Sequence, residues 1–368
     1  MNEPGPILQL VVSTRAGGGP QHVLSLALGL QRRGWRFVVA GPGDGPMVER
    51  FRAAGVDVVS LRTDRLAPLT LLRLVRLIRA RGVRLVHSHG KGAGLYGRLA
   101  ARLTDVPAVH TFHGLHYERY PAPARALYLA LERRLSAITG VIVNVSRAQE
   151  HEGLGLGLFT SRQSRVVLNG VDVVRLAASA LERGEARLAL GLDPAEPVVG
   201  CAARFDEVKR LDVLVRAAAL SPGFTLALIG DGPEGPRLRR LAAELGVTRR
   251  VRVAGEVPEA ARLFPAFDVF ASPARKEGLP LAVLEAMALG LAVVASDIPA
   301  HREVLGAPCD GLVEGTAEAF AARLSSALAD AELRARLGAE NRTRARSEFD
   351  VRQMLAALEA VYEEVLAL

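Results

Sequence analysis

The chain has 368 residues, 49% hydrophobic and only 5% aromatic, which suits two domains with cores of Leu, Val and Ala. Charged residues make up 23%, which excludes a fibrous or disordered chain. Residues 1–170 hold 23 basic and 10 acidic side chains, net +13, against 24 and 29, net −5, in residues 171–368. That asymmetry predicts different partners for the two halves, with nucleic acid, anionic lipid or a phosphorylated substrate facing the first.

Short apolar runs alternate with segments of helical period along the whole chain. Strands are predicted over 7–13, 36–40, 57–61, 84–88, 108–112, 141–145 and 165–168, with helices over 21–33, 69–81, 92–103 and 123–136. A break is expected after Asn169-Gly170-Val171-Asp172, followed by a linker and lead-in helix over 173–196. Strands then return over 198–202, 224–229, 251–254, 269–272 and 292–295, with helices over 211–220, 234–245 and 281–289. The apolar helix pattern of 351–368 closes the chain. Strands without strict alternation are buried on both faces, so the expectation is α/β: two doubly wound, Rossmann-like parallel sheets, residues 1–172 and 173–350.

No apolar run approaches the roughly 18–20 residues that span a bilayer. The start, MNEPGPILQL, lacks a basic segment leading into an apolar one, so no signal peptide is predicted. Cys201 and Cys309 are far apart and form no CxxC pair, against a disulfide framework or Cys-based zinc site. A cytoplasmic protein is the expectation.

Ligands of open parallel sheets sit beyond the carboxyl ends of the strands. The loops expected there are rich in Gly, His and charge: Arg15–Gly19, His87–Gly90 and His110–Gly114 in the first half, and Arg204–Arg210, Gly230–Gly232 and Arg275–Pro280 in the second. Two such sets suggest a ligand in a cleft between the domains. Gly17-Gly18-Gly19 would let an anion approach backbone N–H groups at a helix start, or be a plain turn. NAD binding is disfavoured: His22 stands where the third Gly of the dinucleotide motif belongs, and the second strand ends at Ala40-Gly41-Pro42 without an acid. Arg204 and Lys209, after a strand and before a helix, form either a diphosphate clamp or surface pairs with Asp206 and Glu207.

The sharpest segment is Arg275-Lys276-Glu277-Gly278-Leu279-Pro280, running into a helix that carries Glu285. Pro280 suits a first helical turn, so Gly278 and Leu279 offer N–H groups to an anion. Glu277 and Glu285 are too far apart to flank one glycosidic bond. They suit two hydroxyl-bearing parts of one long ligand. His87, His89, His110, His113 and His116 raise the question of a metal. The two groups end different strands, with no HExxH and no acidic ligand set, so no metal is expected. His113 is better placed as a donor or proton carrier at the ligand, and His87 as a core residue. Arg73, Arg76 and Arg79 on an amphipathic helix could rest on anionic lipid or on solvent. Aromatic residues are too few there for a surface that stacks nucleic-acid bases.

At these residues the sequence resembles the retaining GT-B glycosyltransferases of glycosyltransferase family 4, the group 1 glycosyltransferases. The stretches that carry the likeness are GGGPQHVLSLALGLQRRG, VHSHGKGAGLYGRLAARL, HTFHG, VVLNGVD, ARFDEVKR, LIGDGPEGPRLRRLAAELG, VRVAGEVP, ASPARKEGLPLAVLEAMALG and VVASDIPAHREV. The resemblance implies that Glu277 binds donor-sugar hydroxyls and Glu285 the ribose. Arg204 and Lys209 would hold the diphosphate, joined by the Gly278 and Leu279 backbone, with Gly230 in the adjoining loop. The base would rest near Glu256 and Val257, with His113 by the sugar and Gly18 and Gly19 near the phosphate or acceptor.

The resemblance also implies a nucleotide-diphosphate sugar as donor and no cofactor, while the basic first half fits an acceptor that is lipid-linked or anionic and peripheral contact with an anionic membrane. The last helix would cross back to the first domain. Pro20 departs from the Glu frequent in the family, and Ala274 from Ser. A nucleotide-sugar epimerase of related architecture and a non-catalytic binder of membrane or nucleic acid are the alternatives.

Overall fold

A computed structural model describes residues 5–15, 17–65, 67–115, 117, 118 and 120–367. His116, one of the five clustered histidines, and Ala16 of the glycine-rich loop lie outside the described residues. The chain forms two compact units. One runs to Asn169 and takes back Arg352 onward; the other is Gly170–Val351.

The first unit contains β1 (Ile7–Val11), α1 (Gly18–Gln31), β2 (Phe37–Gly41), α2 (Met47–Ala53), β3 (Asp57–Ser60), α3 (Pro68–Arg81), β4 (Leu85–His89), α4 (Lys91–Thr104), β5 (Ala108–Phe112), α5 (Ala122–Ser136), β6 (Val141–Asn144), α6 (Arg147–Gly155) and β7 (Ser164–Val166). The strands pair in parallel in the order β3-β2-β1-β4-β5-β6-β7. The order reverses direction beside β1, so the ends of β1 and β4 flank a topological switch point. One face of this sheet buries Leu8, Leu10, Val38, Ala40 and Val86 against Leu74 and Ile78 of α3 and Ala93 and Ala100 of α4.

The second unit contains α7 (Val173–Ser179), α8 (Arg183–Ala189), β8 (Val198–Ala202), α9 (Leu211–Leu220), β9 (Thr225–Ile229), α10 (Gly235–Glu244), β10 (Val251–Gly255), β11 (Val269–Ser272), α11 (Leu281–Ala288), β12 (Ala292–Ser296), α12 (Pro299–Leu305), β13 (Leu312–Val313), α13 (Ala317–Ala329) and α14 (Ala331–Glu348). Its parallel order is β10-β9-β8-β11-β12-β13. The core joins Val199, Leu226, Leu228, Val269 and Val294 of the sheet to Leu214 of α9, Leu238 of α10 and Phe320 of α13.

The last helix, α15 (Val351–Leu366), buries Met354, Leu355, Leu358, Val361, Tyr362 and Val365. These residues form one helical stripe. Its Tyr362 hydroxyl lies 2.9 Å from Gln9 Nε2 and 2.7 Å from His87 Nδ1, so α15 covers β1 and β4 on the face opposite α3 and α4. Gly29 of α1 is where Leu355 packs: a Cβ there would stand 2.2 Å from Leu355 Cδ1.

Several boundaries differ from the sequence reading for local reasons. Helix α1 begins at Gly18 rather than Gln21, because Pro20 falls in the first turn, where a missing N–H removes no intrahelical bond. Where a linker and one lead-in helix were expected over 173–196, the structure has two helices, α7 and α8. Asp172 caps α7 by accepting from Arg175 N at 2.9 Å, and Arg187 of α8 donates to Ala266 O at 3.1 Å and to Asp268 at 3.0 Å. Gly170 is demanded by close approach, since a Cβ would lie 2.7 Å from Val351 Cα. Val171 N donates to Phe349 O and Val351 N to Val171 O, so the two ends of the second unit run side by side.

Candidate active site

The second unit gathers the expected donor-side residues at the carboxyl edge of its sheet. After β8 the chain makes a 3-10 turn, Glu207–Lys209, and enters α9 through Arg210, a non-glycine residue at φ 50°. The loop is fastened to the one after β9: Phe205 N donates to Asp231 O at 2.8 Å and Glu234 N to Phe205 O at 2.9 Å. Gly230 makes this possible, with φ 135° and space for no Cβ, which would meet Ala203 O at 1.9 Å. Its N–H donates to Gly255 O at 2.7 Å, which draws in the end of β10 beside Glu256, exposed, and Val257, half-buried.

Lys209 Nζ lies 2.5 Å from Glu277 Oε1, and the two side chains are only 25% and 13% exposed. This pairing replaces the Lys209–Glu207 surface pair that the sequence left open. Arg204 does take the surface option: it pairs with Asp206 and is 62% exposed. Arg275 N donates to Val208 O at 2.9 Å and so stitches the loop before α11 to the Arg204–Arg210 loop. Gly278, Leu279 and Pro280 are buried, and Pro280 is the N-cap, one residue before the first turn. Glu285 is half-buried on α11 between Leu284 and Ala286, both buried.

His301, which the sequence did not single out, and Cys201 stand near this pair. His301 of α12 is fully buried, with Nε2 3.1 Å from Ser272 Oγ and Nδ1 2.7 Å from Ser296 O. Burial lowers its pKa, while the Glu277 carboxylate pulls the other way. Cys201 is buried and its thiol is pushed up to about 12 by that burial, with Lys209 and Glu277 acting in opposite senses.

The first unit assembles its histidines at the switch point. His87 is the core residue expected: buried, with Nδ1 on Tyr362 and Nε2 2.7 Å from Thr111 Oγ1. His110 is also buried, its Nδ1 2.8 Å from Ser88 Oγ. The two histidine groups end different strands, as expected, but those strands are adjacent. Because β4 and β5 are neighbours in register, His89 Nδ1 meets His113 Nε2 at 3.0 Å. His22 of α1 joins them, its ring centroid 5.1 Å from that of His113. Burial lowers the pKa of all five, that of His22 to about 4.

Gly18 and Gly19 open α1 beside this cluster. A Cβ on Gly19 would lie 3.7 Å from His113 Cδ2, an ordinary contact, so space alone does not demand glycine there.

Residues 182–344 match the family described as Glycosyl transferases group 1, and residues 16–175 match Glycosyltransferase Family 4. The D-inositol 3-phosphate glycosyltransferase of Rhodococcus erythropolis is 32% identical over 324 residues, 77% of this chain and 72% of that protein. The chain belongs to the group 1 glycosyltransferases. Another relative of this family member is the lipopolysaccharide core biosynthesis mannosyltransferase LpsB of Rhizobium meliloti, 34% identical over 215 residues; the match spans 55% of this chain and 61% of LpsB.

Among solved structures, Anabaena Alr3699/HepE in complex with UDP-glucose superposes with a TM-score of 0.86 at 22% identity, covering 98% of this chain and all of that one. Sucrose-phosphate synthase from Thermosynechococcus elongatus gives 0.82 at 23% identity, covering 98% and 99%. The fold is GT-B. In this family member, none of the described helices is long and apolar enough to cross a membrane.

Proposed function

We propose that this protein is a retaining glycosyltransferase that moves a hexosyl group from a nucleotide-diphosphate sugar to an acceptor hydroxyl, without a metal cofactor, in bacterial cell-envelope lipid or polysaccharide synthesis. The observation that carries the reading is the Lys209–Glu277 pair at the start of α11, with Arg204 on the same loop as Lys209. Group 1 membership and relatives named as a lipopolysaccharide core mannosyltransferase and inositol-phosphate glycosyltransferases support it.

Charge develops on the leaving diphosphate as the sugar C1–O bond breaks. Lys209, Arg204 and the backbone N–H groups before α11 meet that charge, the task a divalent cation serves elsewhere. The acceptor oxygen bonds to C1 on the face the phosphate leaves, and its proton passes to the departing phosphate oxygen. The products are the glycoside and a nucleoside diphosphate. Glu277 accepts from sugar hydroxyls, Glu285 from the ribose, and His113 contacts the sugar.

The test is a panel of UDP-, GDP-, ADP- and dTDP-sugars with EDTA present, followed by NMR. One donor is expected to release its nucleoside diphosphate, with the activity lost in Glu277→Gln. Turnover that requires added metal, or a product of inverted anomeric configuration, would each remove that part of the reading. Unchanged function in Glu277→Gln would favour the non-catalytic binder.

Membrane contact rests on two solvent-facing stripes. On α3, Leu69 and Leu72 are 64% and 56% exposed and share a side with exposed Arg73, Arg76 and Arg79. On α5, Leu127 is 73% exposed and Leu131 41%, with exposed Arg134 one turn on. Apolar side chains among cations suit an anionic bilayer surface. Phosphatidylglycerol vesicles are expected to sediment the protein at low salt and release it at high salt, where charges are screened. A Leu69→Asp, Leu72→Asp variant should stay in the supernatant; equal sedimentation of that variant would count against this face.

A further inference from the structure

We propose that His22, His89 and His113 form a three-histidine site for a borderline transition-metal ion of the Zn²⁺ or Co²⁺ class, separate from the donor machinery of the second unit. One ring nitrogen of each residue lies within 4.8 Å of the other two. An ion held at about 2.0–2.1 Å from each nitrogen needs them somewhat closer, a change that small ring rotations supply.

The surroundings of the rings point the same way. His22 Nδ1 is 3.0 Å from Asn169 Oδ1, and His89 Nε2 is 2.7 Å from Gln9 Oε1. An amide oxygen only accepts, so each contact fixes a ring N–H and leaves a lone pair on the other nitrogen, His22 Nε2 and His89 Nδ1. Gln9 is held in this sense by donating Nε2–H to Tyr362. An imidazole whose second nitrogen donates to a carbonyl-type oxygen is the usual arrangement of a metal ligand. The His22 ring is 2% exposed, and among the described residues its Nε2 has no hydrogen-bond partner. A buried acceptor left unmet is costly, and an ion would satisfy it.

His113 completes the set. Its Nε2 shares a proton with His89 Nδ1 across 3.0 Å. When the ion takes that place, the proton moves to His113 Nδ1, so the three ligands stay neutral and no proton is released. His113 is half-buried, which leaves a path for the ion and a fourth position for water. Three neutral imidazoles without a carboxylate favour zinc-like ions over Mg²⁺ or Ca²⁺.

The measurement uses full-length protein freed of any affinity tag, stripped with EDTA, desalted and given one equivalent of Co²⁺ or Zn²⁺. One ion per chain is expected to survive gel filtration, by elemental mass spectrometry, and the Co²⁺ form should show the visible bands of a four-coordinate site. His22→Gln and His89→Gln should each retain none, whereas His151→Ala, at an exposed histidine, should retain the full equivalent. No ion retained by the wild type overturns the proposal, even if a variant fails to fold. Retention unchanged in both variants overturns it too.

Zn²⁺ is further expected to inhibit transfer by the wild type and not by His22→Gln. That effect rests on the placing of His113 at the donor sugar. An ion bound without inhibition would remove that placing and leave the metal site standing.

Discussion

Lys209→Met is expected to lower kcat for transfer by about 10²–10³-fold, the usual loss when one preorganised charge is removed from a developing anion. Lys209 is 25% exposed and held against Glu277, so its ammonium is fixed in place and only partly hydrated before any donor arrives. A fixed charge at the leaving oxygen does not need to reorganise during the reaction. Lys209→Arg should recover only part of the rate, because a planar fork cannot occupy the space of a compact ammonium 2.5 Å from Glu277 Oε1. The check is single-turnover release of nucleoside diphosphate from saturating donor. A Lys209→Met rate within threefold of wild type would show that the clamp is not where charge is stabilised.

Glu132→Ala is expected to destabilise the first unit by about 3–5 kcal/mol, because it strands a buried guanidinium. Arg98 on α4 and Glu132 on α5 are 0% and 3% exposed, with Arg98 Nη2 2.7 Å from Glu132 Oε2. Arg98 Nε donates to Gly94 O, while Nη1 already lacks a partner among the described residues. The same surroundings push the Tyr128 hydroxyl pKa up, first through burial and then through the Glu132 charge. Replacing both charges, Arg98→Met with Glu132→Leu, should cost less than Glu132→Ala alone, since no unpaired ion remains. Urea unfolding of the three proteins gives the comparison. A double variant weaker than the single would mean that the pair contributes net stability.

The charged loops of the second unit were legible because their parts are contiguous. Arg204 and Lys209 share one short loop, and Glu277 through Glu285 share one loop and helix, so spacing placed them on their elements, while the roles proposed for them come from the resemblance. Helix α9 matches its predicted bounds, Leu211–Leu220, for the same reason: a clear 3.6-residue period closed by Ser221.

The histidine cluster was hidden by topology. His22, His89 and His113 come from three elements, and only the order β1-β4-β5 with α1 packed above brings them together. His301 gave no signal beyond following Pro299 in a helix start, and its partners Ser272 and Ser296 end two other strands. Arg98 and Glu132 give no signal in the sequence, because nothing local reports that α4 and α5 turn them toward each other. Short helices such as α2 and α12 escaped for a simpler reason: seven residues make barely two turns of period.

Tyr362, wedged between Gln9 and His87, sets a timetable for biosynthesis. The ribosome delivers β1 before the second unit and α15 after it, so Gln9 and His87 wait without the Tyr362 partner while the second unit is made. The second unit is one unbroken stretch of chain and can close as soon as it emerges. The part synthesised first is thus the part finished last, and a nascent chain stalled before residue 352 leaves the ribosome with Gln9 and His87 still uncovered.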